Sequence, residues 1–280
     1  MALSIHTNYS ALTTNTALNK SNSSLATNQQ RLGTGLRINS AADDAAGLQI
    51  ATRLNAQSRG MSVAMRNVGD ATSMLQTAEG AFSEVTDILQ RMKDLSTQAA
   101  NDTNGVSDRT SLKSEYDELG KELVNIVNNT KYAGEALFAA GGKFSAAVNF
   151  QIGASAAEKL TMDVTADMTA LRTELTTTVQ AGTMDTAANA GTTITALETA
   201  LNNVGSMRAK FGANINRLNH TSNNLANMKD NTDMAKGRIM DADFAIESAN
   251  MSKNSMLMQS GISMLKQAGQ MPGMVMGLLG

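Results

Sequence analysis

The chain has 280 residues, a formal net charge of −2, 42% hydrophobic but only 3% aromatic side chains, one proline (Pro272) and no cysteine. The near-neutral charge and the lack of any Lys/Arg run argue against a general nucleic-acid binder, and the missing cysteine excludes thiolate metal sites, disulfides and thiol catalysis. With no tryptophan and 19 methionines, burial must come from Leu, Ile, Val, Met and Ala, which suits helix packing, and scarce proline fits long unbroken helices.

The N-terminus, MALSIHTNYSALTTNTALNK, has no basic start followed by an apolar run, so it is not a conventional signal peptide. If the protein is secreted, another route must carry it. Ala11, Leu18, Leu25 and Leu32 sit seven residues apart and predict a helix with one narrow apolar seam. QRLGTGLRINSAADDAAGLQIA follows. Gly33-Thr34-Gly35 is a lone fragment of a phosphate loop, with no preceding strand and no following Gly-Lys-Ser/Thr, and reads as a loosened joint.

From about Ala45 to Ala100 the periodicity is strongest. Leu54, Met61, Val68, Leu75, Phe82 and Leu89 form one row, and Ala64, Ala71, Ala78, Val85, Met92 and Ala99 a second row offset by three. Together they make the stripe of one long helix, on the order of 80 Å at about 1.5 Å per residue. NDTNG at 101–105 ends it with turn chemistry. A second helix runs from about Ser107 to Asn129 on Leu112, Leu119 and Ile126, with Tyr116 and Leu123 as its other row. Phe144–Ile152 and Lys159–Val164, separated by GASAAE, predict a β-hairpin. Residues 165–191, rich in Thr and Ala, read as a short variable connection. A third bundle helix runs from about Thr192 to Met234 on Leu197, Val204, Phe211, Leu218 and Leu225, and closes an elongated bundle with the other two.

Phe244, Met251, Met258 and Leu265 repeat the seven-residue spacing near the C-terminal end. This seam and the N-terminal one are each too thin to fold alone, so each predicts the other as partner. Between Met1 and Gln30 the only charged side chain is Lys20, and between Ser248 and Gly280 there are only Lys253 and Lys266. Helices so poor in charge suit burial against copies of themselves, or the lining of a passage that should not grip charged cargo. The apolar tail MPGMVMGLLG is far short of the roughly 18 residues of a membrane span. The expected fold is mainly α: an elongated coiled-coil-like bundle with one β-hairpin and paired N- and C-terminal helices.

Chemistry is sparse. His6 and His220 fall on different predicted helices and read as ordinary polar residues. Asp43-Asp44 and Asp241/Asp243 read as helix-start carboxylates rather than a metal pair. Asn8-Tyr9-Ser10 and Asn101-Asp102-Thr103 match the glycosylation triplet, which arises by chance in an Asn/Thr-rich chain. No nucleophile, base and orienter converge, so neither an enzyme nor a cofactor is expected.

In order and position, LRINSAADDAAGLQIA, LQRMKDLSTQAAND, FQIGA and the run from DADFAIESANMSKNSMLMQSGISMLKQAG to LLG resemble bacterial flagellins over about residues 1–164 and 192–280. The resemblance implies a short flagellin with two layers. Residues 1–44 and 238–280 would form an inner tube (D0). Residues 45–237 would form D1, with the hairpin at about 144–164 and only 165–191 where larger members insert outer domains. It implies a homopolymeric helical filament that acts as a propeller. Export would run unfolded through the flagellar type III apparatus, with an export chaperone and with cap and hook-junction proteins as partners. Neither nucleic-acid binding nor membrane insertion is implied.

Gly33, Gly35 and Gly47 would then be the hinge where the inner pair hands over to the bundle, and this segment also resembles the flagellin epitope detected by a plant receptor kinase. Arg91, Leu95 and Glu115 match positions through which similar flagellins meet the animal Toll-like receptor for flagellin. Arg91 and Leu95, four apart, would share a face outside the two seam rows. The sequence departs from the family at Ala42, in the methionines of its C-terminal seam and at the terminal Gly280. The alternatives are a hook–filament junction protein and a secreted coiled-coil effector or adaptor.

Overall fold

The computed structural model describes residues 7–279, apart from the side chains of 271, 272 and 274–279; His6 and Gly280 lie outside the described residues. Six α-helices carry most of the chain: α1 (Tyr9–Thr34), α2 (Ala45–Ala99), α3 (Val106–Asn129), α4 (Thr165–Thr173), α5 (Ala187–Met240) and α6 (Phe244–Leu279). Between α3 and α4 lie four short strands, β1 (Lys131–Tyr132), β2 (Glu135–Ala136), β3 (Val148–Gln151) and β4 (Lys159–Met162). The chain divides into two compact units, one of residues 1–58 with 230–280 and one of residues 59–229.

The 59–229 unit holds the main core. Both rows of α2 are buried from Met61 to Ala99, as are Leu197, Val204, Phe211, Leu218 and Leu225 of α5 and Tyr116 and Leu123 of α3. Leu112, Leu119 and Ile126 are partly buried against the same core. Four of the six phenylalanines meet there: Phe82 lies 4.6 Å from Phe138 and 5.7 Å from Phe211, and Phe144 lies 5.2 Å from Phe211 between ring centroids. The few aromatics are thus concentrated where bulky rings fill one cross-section of the bundle.

The turn after α2 is built by side chains. Arg109 Nε donates to Ala99 O at 2.9 Å, and its Nη2 to Asn101 O at 3.2 Å. Asp108 Oδ2 accepts from Gly105 N at 3.0 Å. Orphan carbonyls at the end of α2 and an orphan N–H at the start of α3 are thereby satisfied.

The strand region is more segmented than a single hairpin over 144–164. β3 and β4 pair antiparallel, with Val148 opposite Met162 and Gln151 opposite Lys159. Leu160 and Met162 face the core while Lys159 and Thr161 face out, the alternation expected of a half-buried strand. Phe144 sits instead in a 3₁₀ turn, Lys143–Ser145. A second, two-residue hairpin, β1–β2, turns on Ala133 and Gly134, both at positive φ. Alanine is a poor marker for such a turn, so the sequence hides it.

Residues 165–191 are not a featureless connection. α4 and a π-helical turn, Glu174–Val179, bury Met168, Leu171, Leu175 and Val179 in the main core. Val164, Met168, Leu171, Leu175 and Val179 are spaced by three or four, a helical stripe masked by the surrounding threonines. The Tyr116 hydroxyl donates to Val179 O at 2.6 Å, and burial pushes this phenol above its ordinary range.

The other unit contains α1, α6 and the chain that joins them to α2 and α5. Asn8 caps α1, its Oδ1 accepting from Ala11 N at 3.0 Å. Gly35 ends α1 in the left-handed conformation at φ 71°, its N–H returning to Arg31 O.

Candidate functional site

α1 and α6 run antiparallel along each other. The Asn8 side-chain amide donates to Ala268 O at 2.7 Å near one end, and Arg31 Nη1 lies 3.0 Å from Glu247 Oε1 near the other. Leu18 packs so closely on Gly261 that a Cβ there would lie 2.7 Å from Leu18 Cδ1. Leu25 is buried, and Leu18, Leu32, Met251, Met258 and Leu265 are half-buried along the contact.

Phe244 does not join this seam. It is the first residue of α6 and is 68% exposed. The row offset by three turns toward α1 instead, and it brings in Glu247 at 7% exposure. Glu247 is the only acid on α6, and Arg31 is one of two cations on α1. With its amide oriented to satisfy its neighbours, Asn28 donates to Glu247 Oε2 at 3.1 Å and accepts from Asn254 at 3.0 Å. Apolar periodicity does not reveal this ionic and amide cluster. Its signal in the sequence is the isolated acid and the isolated arginine on two otherwise charge-poor segments.

The joints between helices are clasped together. Leu36 and Asp241 form an antiparallel bridge. Arg37 N donates to Met240 O at 2.6 Å, Ala242 N to Gly35 O at 2.9 Å, and Arg37 Nη2 to Ile239 O at 2.9 Å. Asp44 Oδ1 accepts from Gly47 N at the start of α2, and Asp243 Oδ1 accepts from Ala245 N and Ile246 N at the start of α6. Asp43 Oδ2 accepts from Ser40 N, Asn39 N and Ser40 Oγ, which holds its carboxyl below the ordinary carboxylate range.

The three hinge glycines do different things. Gly35 supplies the left-handed cap. Gly33 lies in the last turn of α1 with nothing near its missing Cβ. Gly47 is buried, and a Cβ there would lie 2.5 Å from Asp44 Oδ2 and 2.8 Å from Ile38 Cδ1. At Gly47 the requirement is close packing, not looseness.

Along this pair large apolar side chains stand exposed among Thr, Ser, Asn and Gln. Tyr9, Leu12, Phe244, Ile246, Met256, Leu257, Ile262 and Met264 all project to solvent from α1 and α6. So many large apolar side chains left in water on two paired helices point to an interaction surface. Among the described residues no helix is long and apolar enough to cross a membrane, and no group of three or more His, Asp or Glu is placed to hold a metal.

On the 59–229 unit, Arg91 of α2 reaches Glu115 of α3, with Nε at 2.9 Å and Nη2 at 2.5 Å from Oε1. Both side chains are about half exposed. Leu95 does not stand beside them on the surface; it is 1% exposed. α2 buries a third seven-residue row, with Met74 and Leu95 buried and Ala81 and Ile88 partly buried. A helix flanked by several neighbours needs a wider stripe than two rows provide.

A family model described as the bacterial flagellin N-terminal helical region matches residues 5–142, and one described as the C-terminal helical region matches residues 194–279. The chain belongs to the bacterial flagellin family. This flagellin is 36% identical to flagellin A of Vibrio anguillarum and 33% identical to polar flagellin C of Vibrio parahaemolyticus, each alignment covering 100% of both chains. The first alignment runs to 383 positions against the 280 residues here, so the relative carries residues without counterpart in this shorter flagellin. A crystal structure of Bacillus cereus flagellin is 34% identical over 57% of this chain and 88% of its own, with a TM-score of 0.49. A putative flagellar hook-associated protein from Vibrio parahaemolyticus aligns over 71% of this chain and 100% of its own with a TM-score of 0.57, but at 15% identity it shares the fold alone. As a flagellin, the protein is a structural subunit of the extracellular flagellar filament that serves motility, not an enzyme.

Proposed function

We propose that this flagellin enters the filament through its paired terminal helices. Residues 1–44 with 238–280 form the inner-tube layer (D0), and residues 45–237 form the second layer (D1). The observation that carries this reading is the set of exposed apolar side chains on α1 and α6, on helices with few charges to keep them in water. Copies of the same surface bury it. The chain travels to the growing tip unfolded through the type III export apparatus with a chaperone, and it adds beneath a cap on a base of hook-junction proteins. A chain without cysteine threads such a channel without disulfide traps.

Because the α1–α6 contact is thin and mixed with polar groups, the two ends are marginal before assembly. Brief proteolysis of monomer trims both ends and spares about residues 45–234, whereas filament resists. Uniform resistance of the monomer would overturn this part of the proposal.

The same flagellin is detected by the animal Toll-like receptor for flagellin through Arg91 and Glu115, while Leu95, one turn from Arg91, packs in the core. The half-exposed ion pair on adjacent helices supports this reading, since arginine is favoured at interface hot spots. Monomer activates the receptor in a reporter assay and stabilised filament does not. Arg91→Ala lowers monomer potency by about tenfold. Equal potency of monomer and filament, or full potency of the variant monomer, contradicts the assignment.

A further inference from the structure

We propose that Met256 and Met264 on α6 form an oxidation site that governs entry of this flagellin into the filament, with a hydroperoxide as the co-reactant. The inference rests on the filament role and on burial of the outer face of α6 between copies.

With 19 methionines and no cysteine, the chain carries all its sulfur as thioether. Exposure grades these sulfurs: Met228 and Met234 of α5 are 38% and 54% exposed, and two on α6 stand further out. Met61 and Met92 are sealed in the main core, and Met251 and Met258 are half-buried against α1. Met256 and Met264 are 67% and 62% exposed on the same helix. Eight residues apart, they lie about 12 Å apart along α6 and roughly 80° apart around it. They share its solvent side with exposed Leu257 and Ile262.

Each sulfur lone pair attacks the outer oxygen of the hydroperoxide. An S–O bond forms, the O–O bond breaks, sulfur loses two electrons, and the leaving oxygen takes the proton to depart as water or an alcohol. The sulfoxide carries a strong dipole and a hydrogen-bond acceptor where an apolar, flexible side chain stood. Burying it in an apolar contact between copies is unfavourable unless a donor reaches it. The change is reversible by methionine sulfoxide reductases, so it holds a subunit out of the polymer without destroying it. Once assembled, the same sulfurs are shielded.

The test treats purified monomer with dilute hydrogen peroxide, maps the modified residues by mass spectrometry and adds the monomer to filament seeds. Met256 and Met264 are oxidised before Met251, Met258 and the core methionines, and oxidation confined to Met228 and Met234 leaves elongation unchanged. Elongation falls by about tenfold or more, and reductase treatment restores it. The doubly substituted Met256→Leu/Met264→Leu chain elongates equally with and without peroxide. Undiminished elongation by oxidised wild type, equal sensitivity of the leucine variant, or failure of the reductase to restore growth each overturns the proposal. Elongation by untreated wild type reads the filament role separately, and the treated-to-untreated ratio reads the oxidation site. If the leucine variant fails to elongate untreated, reductase rescue of wild type decides.

Discussion

Gly47 sits in the first turns of α2 with Asp44 and Ile38 pressed against the space where a side chain would stand. Gly47→Ala must displace both the carboxylate that caps α2 and the side chain of Ile38, which is 2% exposed. The expected cost is about 1–3 kcal/mol, seen as a lower dissociation temperature of the filament. Gly33→Ala, with open space around it, should be neutral or stabilising by up to about 1 kcal/mol. If both substitutions have equal effects, the close-packing account of Gly47 is wrong. Composition marks all three glycines as flexible, but their separate roles depend on contacts across the α1–α2 and α5–α6 joints. No local pattern encodes those contacts. Leu95 teaches the same lesson: its spacing from Arg91 was readable, but the number of neighbours around α2 was not.

At the scale of elements, the long seams were readable because seven-residue spacing persists over many turns of α2 and α5 and every turn repeats the signal. α4 and the π turn after it were not, since their stripe is short and set among threonines. The α1–α6 pairing was readable from matched seams, but its ionic and amide cluster replaced the apolar contact expected at Phe244. Glu247→Ala leaves Arg31, whose side chain is 29% exposed, without its carboxylate. It should cost the filament about 2 kcal/mol, below the range for fully buried pairs. The double substitution Arg31→Met/Glu247→Met should recover most of that loss, because two apolar groups replace a pair rather than orphaning one charge. A thermal dissociation series on the two variants checks this; a double variant weaker than Glu247→Ala would show that the pair itself is needed.

Over the whole molecule, two kinds of surface coexist. The 59–229 unit closes its own core with leucine, valine and phenylalanine. The unit that holds both chain ends leaves Tyr9, Leu12, Phe244, Met256 and Met264 in water. The first arrangement is that of a domain that folds alone, and the second is that of a part completed by other copies. The measurement that tests this most directly is electron microscopy of seeded growth with two truncated chains, one lacking residues 1–31 and one lacking residues 244–280. The account predicts that each remains a soluble, helical monomer and that neither lengthens the seeds. Filaments of normal diameter from either truncated chain would contradict it.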